Sequence, residues 1–105
     1  MRVVLSTCPV DQATRLARAL LEERLVACVN VVPRVESHYW WEGKITTDAE
    51  ALLVMKTRAE VVDALIVRLR ALHPYEVPEI VALEIVAGNV QYLDWIGANV
   101  PRTTS

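Results

Sequence analysis

Glycine is scarce in this sequence and phenylalanine is absent, with three Gly, no Phe and two Cys among 105 residues. Three dispersed glycines cannot form the glycine-rich loop of a dinucleotide site or a P-loop, so both sites are excluded. The two cysteines show no CxxC or zinc-finger spacing, and we expect two reduced, buried thiols. Nucleophile-elbow and metalloprotease motifs are also absent. A Cys–His pair is the one catalytic arrangement that the residue types still allow.

Neither acidic nor basic residues are in large excess, since the formal net charge is −2 at pH 7. The arginines alternate with acidic residues on the predicted helix surfaces, so they form no basic stripe for nucleic acid. No charge-free apolar run approaches the roughly 18 residues needed to span a bilayer. The first residues, 2–8, predict a strand rather than a signal peptide. We therefore expect a cytoplasmic protein that binds neither nucleic acid nor membranes.

Hydrophobic residues make up 53% of the chain, a high share for so short a sequence. The length predicts one domain, residues 1–105, with a single modest core. Apolar residues beyond what such a core can cover favour burial against another subunit.

The hydrophobic periodicity predicts seven elements, in the order β-α-β-β-α-β followed by a short helix. We expect Asp11 to cap the first helix, Thr57 to cap the second, and Pro33 to mark a bulge or an edge position in the second strand. Each βαβ half needs a right-handed crossover, and the two halves interlock as a ferredoxin-like split βαβ sheet, an α+β fold. The predicted strands are 2–8, about 25–41, 45–57 and 79–86, and the predicted helices are about 11–24, 58–72 and 90–100.

The second and third strands are predicted to be nearly twice as long as the first and fourth. The distal half of their hairpin must then extend beyond the helices that could cover it. This half carries Tyr39, Trp40 and Trp41, which would lie in water on an exposed edge of a monomer. The mismatch in strand length therefore predicts a homo-oligomer in which the long hairpin packs on a neighbouring subunit.

The segment HPYEVPEI connects the second helix to the fourth strand and allows two interpretations. Its prolines are typical of a rigid connection, because Pro74 stops the helix and keeps His73 out of helical geometry. The prolines do not account for His73, Tyr75 and Glu76. Imidazole and carboxylate groups together suit zinc or copper when they converge. The segment is either a stiff joint or the wall of a site.

His38 and Lys56 also allow two interpretations each. His38 shares a strand face with Glu36, which favours a solvated polar pair over a ligand site. Lys56 ends an apolar strand, where it is either a snorkelling edge residue or a ligand contact.

Four motifs resemble those of the CutA divalent-cation-tolerance family in order and spacing. The resemblance extends over nearly the whole chain, from Val3 to about Val100. It implies a ferredoxin-like subunit in a tight trimer with long hairpins that cross between subunits, similar to the PII signalling proteins, which bind small effectors in clefts between subunits. No established catalytic activity accompanies the family. The motifs are ACVNVVP at 27–33, SHYWWEGKI at 37–45, HPYEVPEI at 73–80 and YLDWI at 92–96.

The resemblance also implies a metal site, which this sequence retains in part. In the family's bacterial copper-binding members a Cys stands where this chain has Ser6, and a His-His pair stands where it has Leu72 and His73. His73 is thus the retained ligand for Cu²⁺ or another divalent cation. Cys8 lies two residues along the same strand face as Ser6 and is a weak substitute. Loss of a thiolate weakens the case for copper, because soft thiolate favours Cu(I).

Three functions follow from the resemblance. The first is a non-enzymatic, cytoplasmic homotrimer that binds divalent cations, copper foremost, and contributes to metal tolerance. The second is a PII-like module that senses a small molecule, and the third is a structural or anchoring trimer. The resemblance places an intersubunit cleft beside Trp41, Lys56, Tyr75, Glu76, Pro78, Glu79 and Trp95.

Overall fold

The computed structural model describes residues 1–102, so residues 103–105 of the predicted domain lie outside the described residues. Short 3₁₀ turns at Val10–Gln12 and Ala59–Val61 precede the first two α-helices. Within residues 1–102, no helix combines the length and the apolar character needed to cross a membrane. The elements are β1 Arg2–Cys8, α1 Ala13–Glu22, β2 Cys28–Trp41, β3 Lys44–Thr57, α2 Val62–Leu72, β4 Ile80–Glu84 and α3 Val90–Asn99.

The four strands form one sheet in the order β2-β3-β1-β4. Each pair of neighbours is antiparallel, with β1 between β3 and β4. This is the strand order of the ferredoxin-like split βαβ fold, because each helix connects two strands that are not adjacent in the sheet. The predicted element order and the α+β fold class are confirmed.

The core lies between one face of the sheet and the helices α1 and α2. Successive side chains of a strand point to opposite faces, so alternate residues of β1 and β3 enter this core. Neither α1 nor α2 covers the other face of the sheet, which carries polar and half-buried residues. The buried core includes Val4, Cys8, Leu53 and Met55 from the strands and Leu16, Leu20, Leu65 and Leu69 from the helices.

The long hairpin has the predicted proportions: β2 and β3 have 14 residues each, whereas β1 has 7 and β4 has 5. Its turn consists of Glu42 and Gly43, with φ of 50° and 77°. Positive φ at both positions matches the twist of a two-residue hairpin turn. Trp40 is 73% exposed and Trp41 is 60% exposed in the single chain. The overhang predicted from strand lengths is therefore present.

Pro33 lies where the β2–β3 register shifts, between Val32 and Val35. Strand β2 is also an edge strand of the sheet. A proline cannot donate a ladder hydrogen bond, so it is accommodated at such a bulge. Both predicted roles of Pro33 are present.

Both predicted helix caps are wrong. Asp11 lies in the 3₁₀ turn before α1 and makes no side-chain capping bond. Thr57 is fully buried, and its hydroxyl donates a 2.7 Å hydrogen bond to the Leu25 carbonyl instead of capping α2. The 3₁₀ turns shift both helix starts beyond the reach of these side chains. An unpredicted cap is present on α3, where the Asn89 side chain accepts a 3.1 Å bond from the Gln91 amide.

Two strand boundaries also differ from the prediction. Strand β2 begins at Cys28 rather than near Leu25, because Arg24 adopts a φ of 59° and the Leu25 amide donates to the Leu20 carbonyl at 3.1 Å. This pattern ends α1 with a left-handed residue that is usually glycine. Strand β4 covers five residues, Ile80–Glu84, because ladder pairing with β1 ends where Glu84 pairs with Arg2, the first residue of β1.

Candidate functional site

The imidazole of His73 is held by the backbone on both sides. The Tyr75 amide donates a 3.1 Å hydrogen bond to Nδ1, so Nδ1 carries no proton. The proton of the ring then lies on Nε2, which donates to the Thr7 carbonyl at 2.8 Å. His73 is buried in this position. Neither ring nitrogen has a free lone pair for a metal ion in this conformation.

Ser6 and Cys8, the other two positions considered for the metal, are fully buried on the core face of β1. The Ser6 hydroxyl donates a 2.6 Å bond to the Glu79 carbonyl, which fixes the start of β4. Burial, and secondarily the Glu50 carboxylate, raise the pKa of the Cys8 thiol, which disfavours the thiolate that binds copper. Within residues 1–102, no three His, Cys, Asp or Glu side chains converge as a metal site. The residues present do not fit a preformed copper centre.

Tyr75 lies two residues after the buried His73 and lines an open cleft. Its hydroxyl donates a 2.8 Å hydrogen bond to Oε2 of Glu50 on β3. Glu50 is only 7% exposed, although it lies on the sheet face opposite the core. Burial of the phenol, together with the Glu50 carboxylate, raises the pKa of Tyr75 well above its ordinary value. The bond therefore attaches the 73–79 loop to the hairpin.

The cleft has a volume of about 740 Å³ and lies between the hairpin and the 73–79 loop. The loop contributes Tyr75, Glu76, Val77 and Glu79, and the end of β1 contributes Thr7. The hairpin contributes Ser37, His38, Tyr39, Trp41 and Glu50.

Four of the predicted cleft residues, Trp41, Tyr75, Glu76 and Glu79, line this one cavity. The prediction omitted Tyr39 and Glu50. The period-two alternation of strands contained a signal for Tyr39, since it shares its face of β2 with Trp41. Glu50 gave no such signal, because a carboxylate at the border of an apolar run is usually solvated.

Lys56 and Trp95 lie elsewhere in the single chain. Lys56 lies near the C-terminal end of β3, whereas Glu50 lies in the middle of that strand. Lys56 pairs across the sheet with Val3 and Cys28, and its ammonium contacts the Asn30 side chain. Trp95 stacks on Tyr92, with ring centroids 5.5 Å apart. Burial, and then the Cys28 thiol, raise the pKa of Tyr92. These residues form a second group at the far end of the sheet.

His38 adopts the predicted polar arrangement on the hairpin. Its Nε2 lies 2.7 Å from Oε1 of Glu36, and its Nδ1 lies 3.0 Å from the Thr47 hydroxyl. A carboxylate only accepts, so Nε2 is the donor. His38 and Glu36 are both exposed, and the imidazole is therefore paired before any ligand approaches.

A family model described as CutA1 divalent ion tolerance protein matches residues 2–99. The chain belongs to this family. A CutA protein of Thermus thermophilus named for divalent-cation tolerance is 52% identical over 98 residues, which cover 92% of this chain and 95% of that protein. A chloroplastic CutA protein of rice, Oryza sativa, is 53% identical over 90% of this chain. The chain spans 54% of the length of the rice protein, about half.

Solved structures of CutA proteins superpose closely on this fold. The Thermus thermophilus protein has a TM-score of 0.92 at 50% identity, covering 96% of this chain and 100% of that chain. A CutA from Nostoc sp., described as PII-like and solved in the apo form, has a TM-score of 0.92 at 36% identity, covering 98% of this chain and 100% of that chain. The predicted family and its PII-like fold are confirmed.

Proposed function

We propose that this chain is a non-enzymatic homotrimer that binds a small molecule in the cleft between its subunits, as a PII-like module within divalent-cation tolerance. The observation that carries the proposal is the cleft of about 740 Å³ between the hairpin and the 73–79 loop. Aromatic and carboxylate side chains converge there on a site large enough for a metabolite.

The exposed apolar residues support a trimer. Trp40, Trp41 and Ile45 cluster at the tip of the hairpin, and Val81 and Leu83 lie on the edge strand β4. Each of these side chains is between 46% and 73% exposed in a single chain. Exposed apolar side chains at a hairpin tip and along an edge strand are both typical of surfaces that a partner covers.

The chemistry of the buried groups supports binding rather than catalysis. The Cys8 thiol is buried with a raised pKa, and the ring nitrogens of His73 are both engaged by backbone groups. A catalytic Cys–His pair needs a lowered thiol pKa and a ring nitrogen free to accept the proton. The free thiols Cys8 and Cys28 also support the predicted cytoplasmic location.

Melting measurements test the cleft. A protein-free small-molecule extract of the expressing cells should raise the melting temperature, since a ligand at 100 times its Kd stabilises by about 2.7 kcal/mol. Ser37→Trp, which fills the cleft, should abolish the rise. Thr14→Trp is the matched control, because Thr14 is exposed on α1 and is not among the residues that line the cleft. A monomeric mass in native mass spectrometry, or an equal rise in both variants, would contradict the proposal.

A second candidate function is binding of Cu²⁺ or another divalent cation at His73, with Cys8 as a weak further ligand. The family's description favours it. It requires His73 to release the Thr7 carbonyl or the Tyr75 amide. We expect calorimetric titration of metal-free protein with Cu²⁺ and Zn²⁺ to give weak binding that is equal in His73→Ala. Saturable binding below about 100 μM, or about −5.5 kcal/mol, that disappears in His73→Ala would instead establish the metal function.

A further inference from the structure

We propose that the ligand of this cleft is an organic cation, a small molecule with an ammonium or guanidinium group. The inference rests on the proposed binding function and names its ligand class. The lining contains the carboxylates of Glu50, Glu76 and Glu79, and no Lys or Arg among residues 1–102. His38, the one lining side chain that can carry a positive charge, is already paired with Glu36 at 2.7 Å. The cleft of the single chain is therefore negative.

Glu50 provides an independent reason to expect a cation. The residue is more than nine-tenths buried and lines the cavity. It accepts one side-chain hydrogen bond within residues 1–102, from Tyr75 at 2.8 Å. A carboxylate offers about four acceptor positions, so most of its capacity is unused. Burying a carboxylate is costly unless a positive charge balances it, and an ammonium or guanidinium group of a ligand would provide that charge.

The aromatic wall of the cleft suits the same class of ligand. Trp41 and Tyr39 lie on the hairpin side, opposite the carboxylates of the 73–79 loop. Tryptophan binds cations over its ring face better than any other side chain. Trp41 itself lines the cavity, so part of its ring faces the ligand site. A cation bound between them would contact the Trp41 indole on one side and pair with the loop carboxylates on the other.

The spacing of the acidic groups favours an organic cation over a bare metal ion. No three potential metal ligands converge within residues 1–102. A divalent ion needs several oxygen ligands at about 2.0–2.6 Å. A molecule of several atoms can reach Glu50 with one group and Glu76 or Glu79 with another. Phosphate-bearing ligands are disfavoured, because three carboxylates would repel them and the lining offers no arginine or lysine to bind them.

Calorimetry with a matched pair of probes tests the charge requirement. The cationic probe is choline, and its neutral partner is 3,3-dimethylbutan-1-ol, which has nearly the same shape as choline but no charge. ATP is the anionic probe. We expect the neutral alcohol to bind at least about tenfold more weakly than choline. Glu50→Gln should weaken choline binding by about tenfold or more, while Tyr75 can still donate to the amide oxygen. Glu76→Gln, at an exposed position, provides a second variant that preserves the fold.

Glu22→Gln on α1 is the matched control, since Glu22 is exposed and lies outside the cleft. It should leave choline binding unchanged. Equal affinity for choline and the alcohol would overturn the inference, as would ATP binding without choline binding. If none of the three probes binds while the cell extract still raises the melting temperature, the cation class is wrong and the cleft function stands. If the extract also has no effect, both proposals fail.

Discussion

The hydroxyl of Tyr75 donates a 2.8 Å hydrogen bond to Glu50, across 25 positions of sequence. It joins the loop after α2 to the hairpin, and the carboxylate that accepts it is almost completely buried. The same two residues face the cleft. The contact therefore stabilises the subunit and fixes the geometry of the proposed ligand site.

Tyr75→Phe should lower the free energy of unfolding by about 1–3 kcal/mol, because it leaves a buried carboxylate oxygen without its donor. Urea unfolding at fixed protein concentration measures the change. Tyr39→Phe is the control, since its hydroxyl contacts Asp48 at an exposed position and should matter less. Equal losses in the two variants would show that burial of Glu50 is not the cause.

The same hydrogen bond should make the protein sensitive to alkaline pH. The folded-state pKa of Tyr75 is raised above its ordinary value of 10.0, by burial first and then by the bond to Glu50. The unfolded state therefore loses the proton first as pH rises. The stabilisation is fully present below about pH 10 and is lost as pH rises through the folded-state pKa, with a slope of at most about 1.4 kcal/mol per pH unit.

Unfolding free energies measured from pH 9 to pH 12 test this sign. Wild-type stability should fall over this range, and the decline should be shallower in Tyr75→Phe. The pKa values of the Cys8 thiol and of the Tyr39 and Tyr92 phenols are also raised, but these groups are common to both proteins and cancel in the comparison. Parallel pH profiles would mean that Tyr75 titrates alike in the folded and unfolded states.

Strand lengths and helix periodicity were sufficient to predict the fold, because they depend on local alternation of apolar residues. The same alternation predicted the overhang that carries Trp40 and Trp41. The role of His73 was not predictable. Its partners, the Thr7 carbonyl and the Tyr75 amide, are backbone groups with no signature in the sequence. The burial of Glu50 likewise depends on packing by a distant loop.

The prediction of the helix caps failed for a related reason. Asp11 and Thr57 stand at positions where a cap would suit the local pattern. Asp11 instead lies within the 3₁₀ turn Val10–Gln12, and Thr57 precedes the turn Ala59–Val61 and bonds to a carbonyl 32 positions away. Tertiary contacts thus override a local preference of about 1 kcal/mol.

Gly97→Ala should destabilise the protein, although alanine normally favours a helix over glycine by about 1 kcal/mol. A Cβ at Gly97 would lie 2.9 Å from Nη2 of Arg58. That guanidinium donates to the Gly97 carbonyl at 2.6 Å and to the Val100 carbonyl at 2.5 Å, at the end of α3. Displacing it should cost about 1–3 kcal/mol.

Thermal unfolding of Gly97→Ala beside Gly88→Ala measures the effect. An added Cβ at Gly88 would meet Leu93 at an ordinary 3.5 Å, so this control should be neutral or slightly stabilising. Arg58→Lys should be destabilised as well, because lysine lacks the two fixed donors. A stabilised Gly97→Ala would show that Arg58 relaxes without losing its bonds.

The hairpin tip should decide whether the trimer forms. Trp40 and Trp41 are largely exposed in one chain, and each would contribute about 2 kcal/mol or more if a neighbouring subunit buried it. Trp40→Ala and Trp41→Ala should therefore lower the melting temperature and release monomer in native mass spectrometry at low protein concentration. Val67→Ala is the control, because Val67 is 70% exposed on α2, away from the hairpin.

If all three variants keep the wild-type mass and melting temperature, the hairpin does not carry the subunit interface. If Val67→Ala alone dissociates, the interface lies on the helical face of the subunit, and the cleft beside Trp41 opens to solvent rather than to a neighbour.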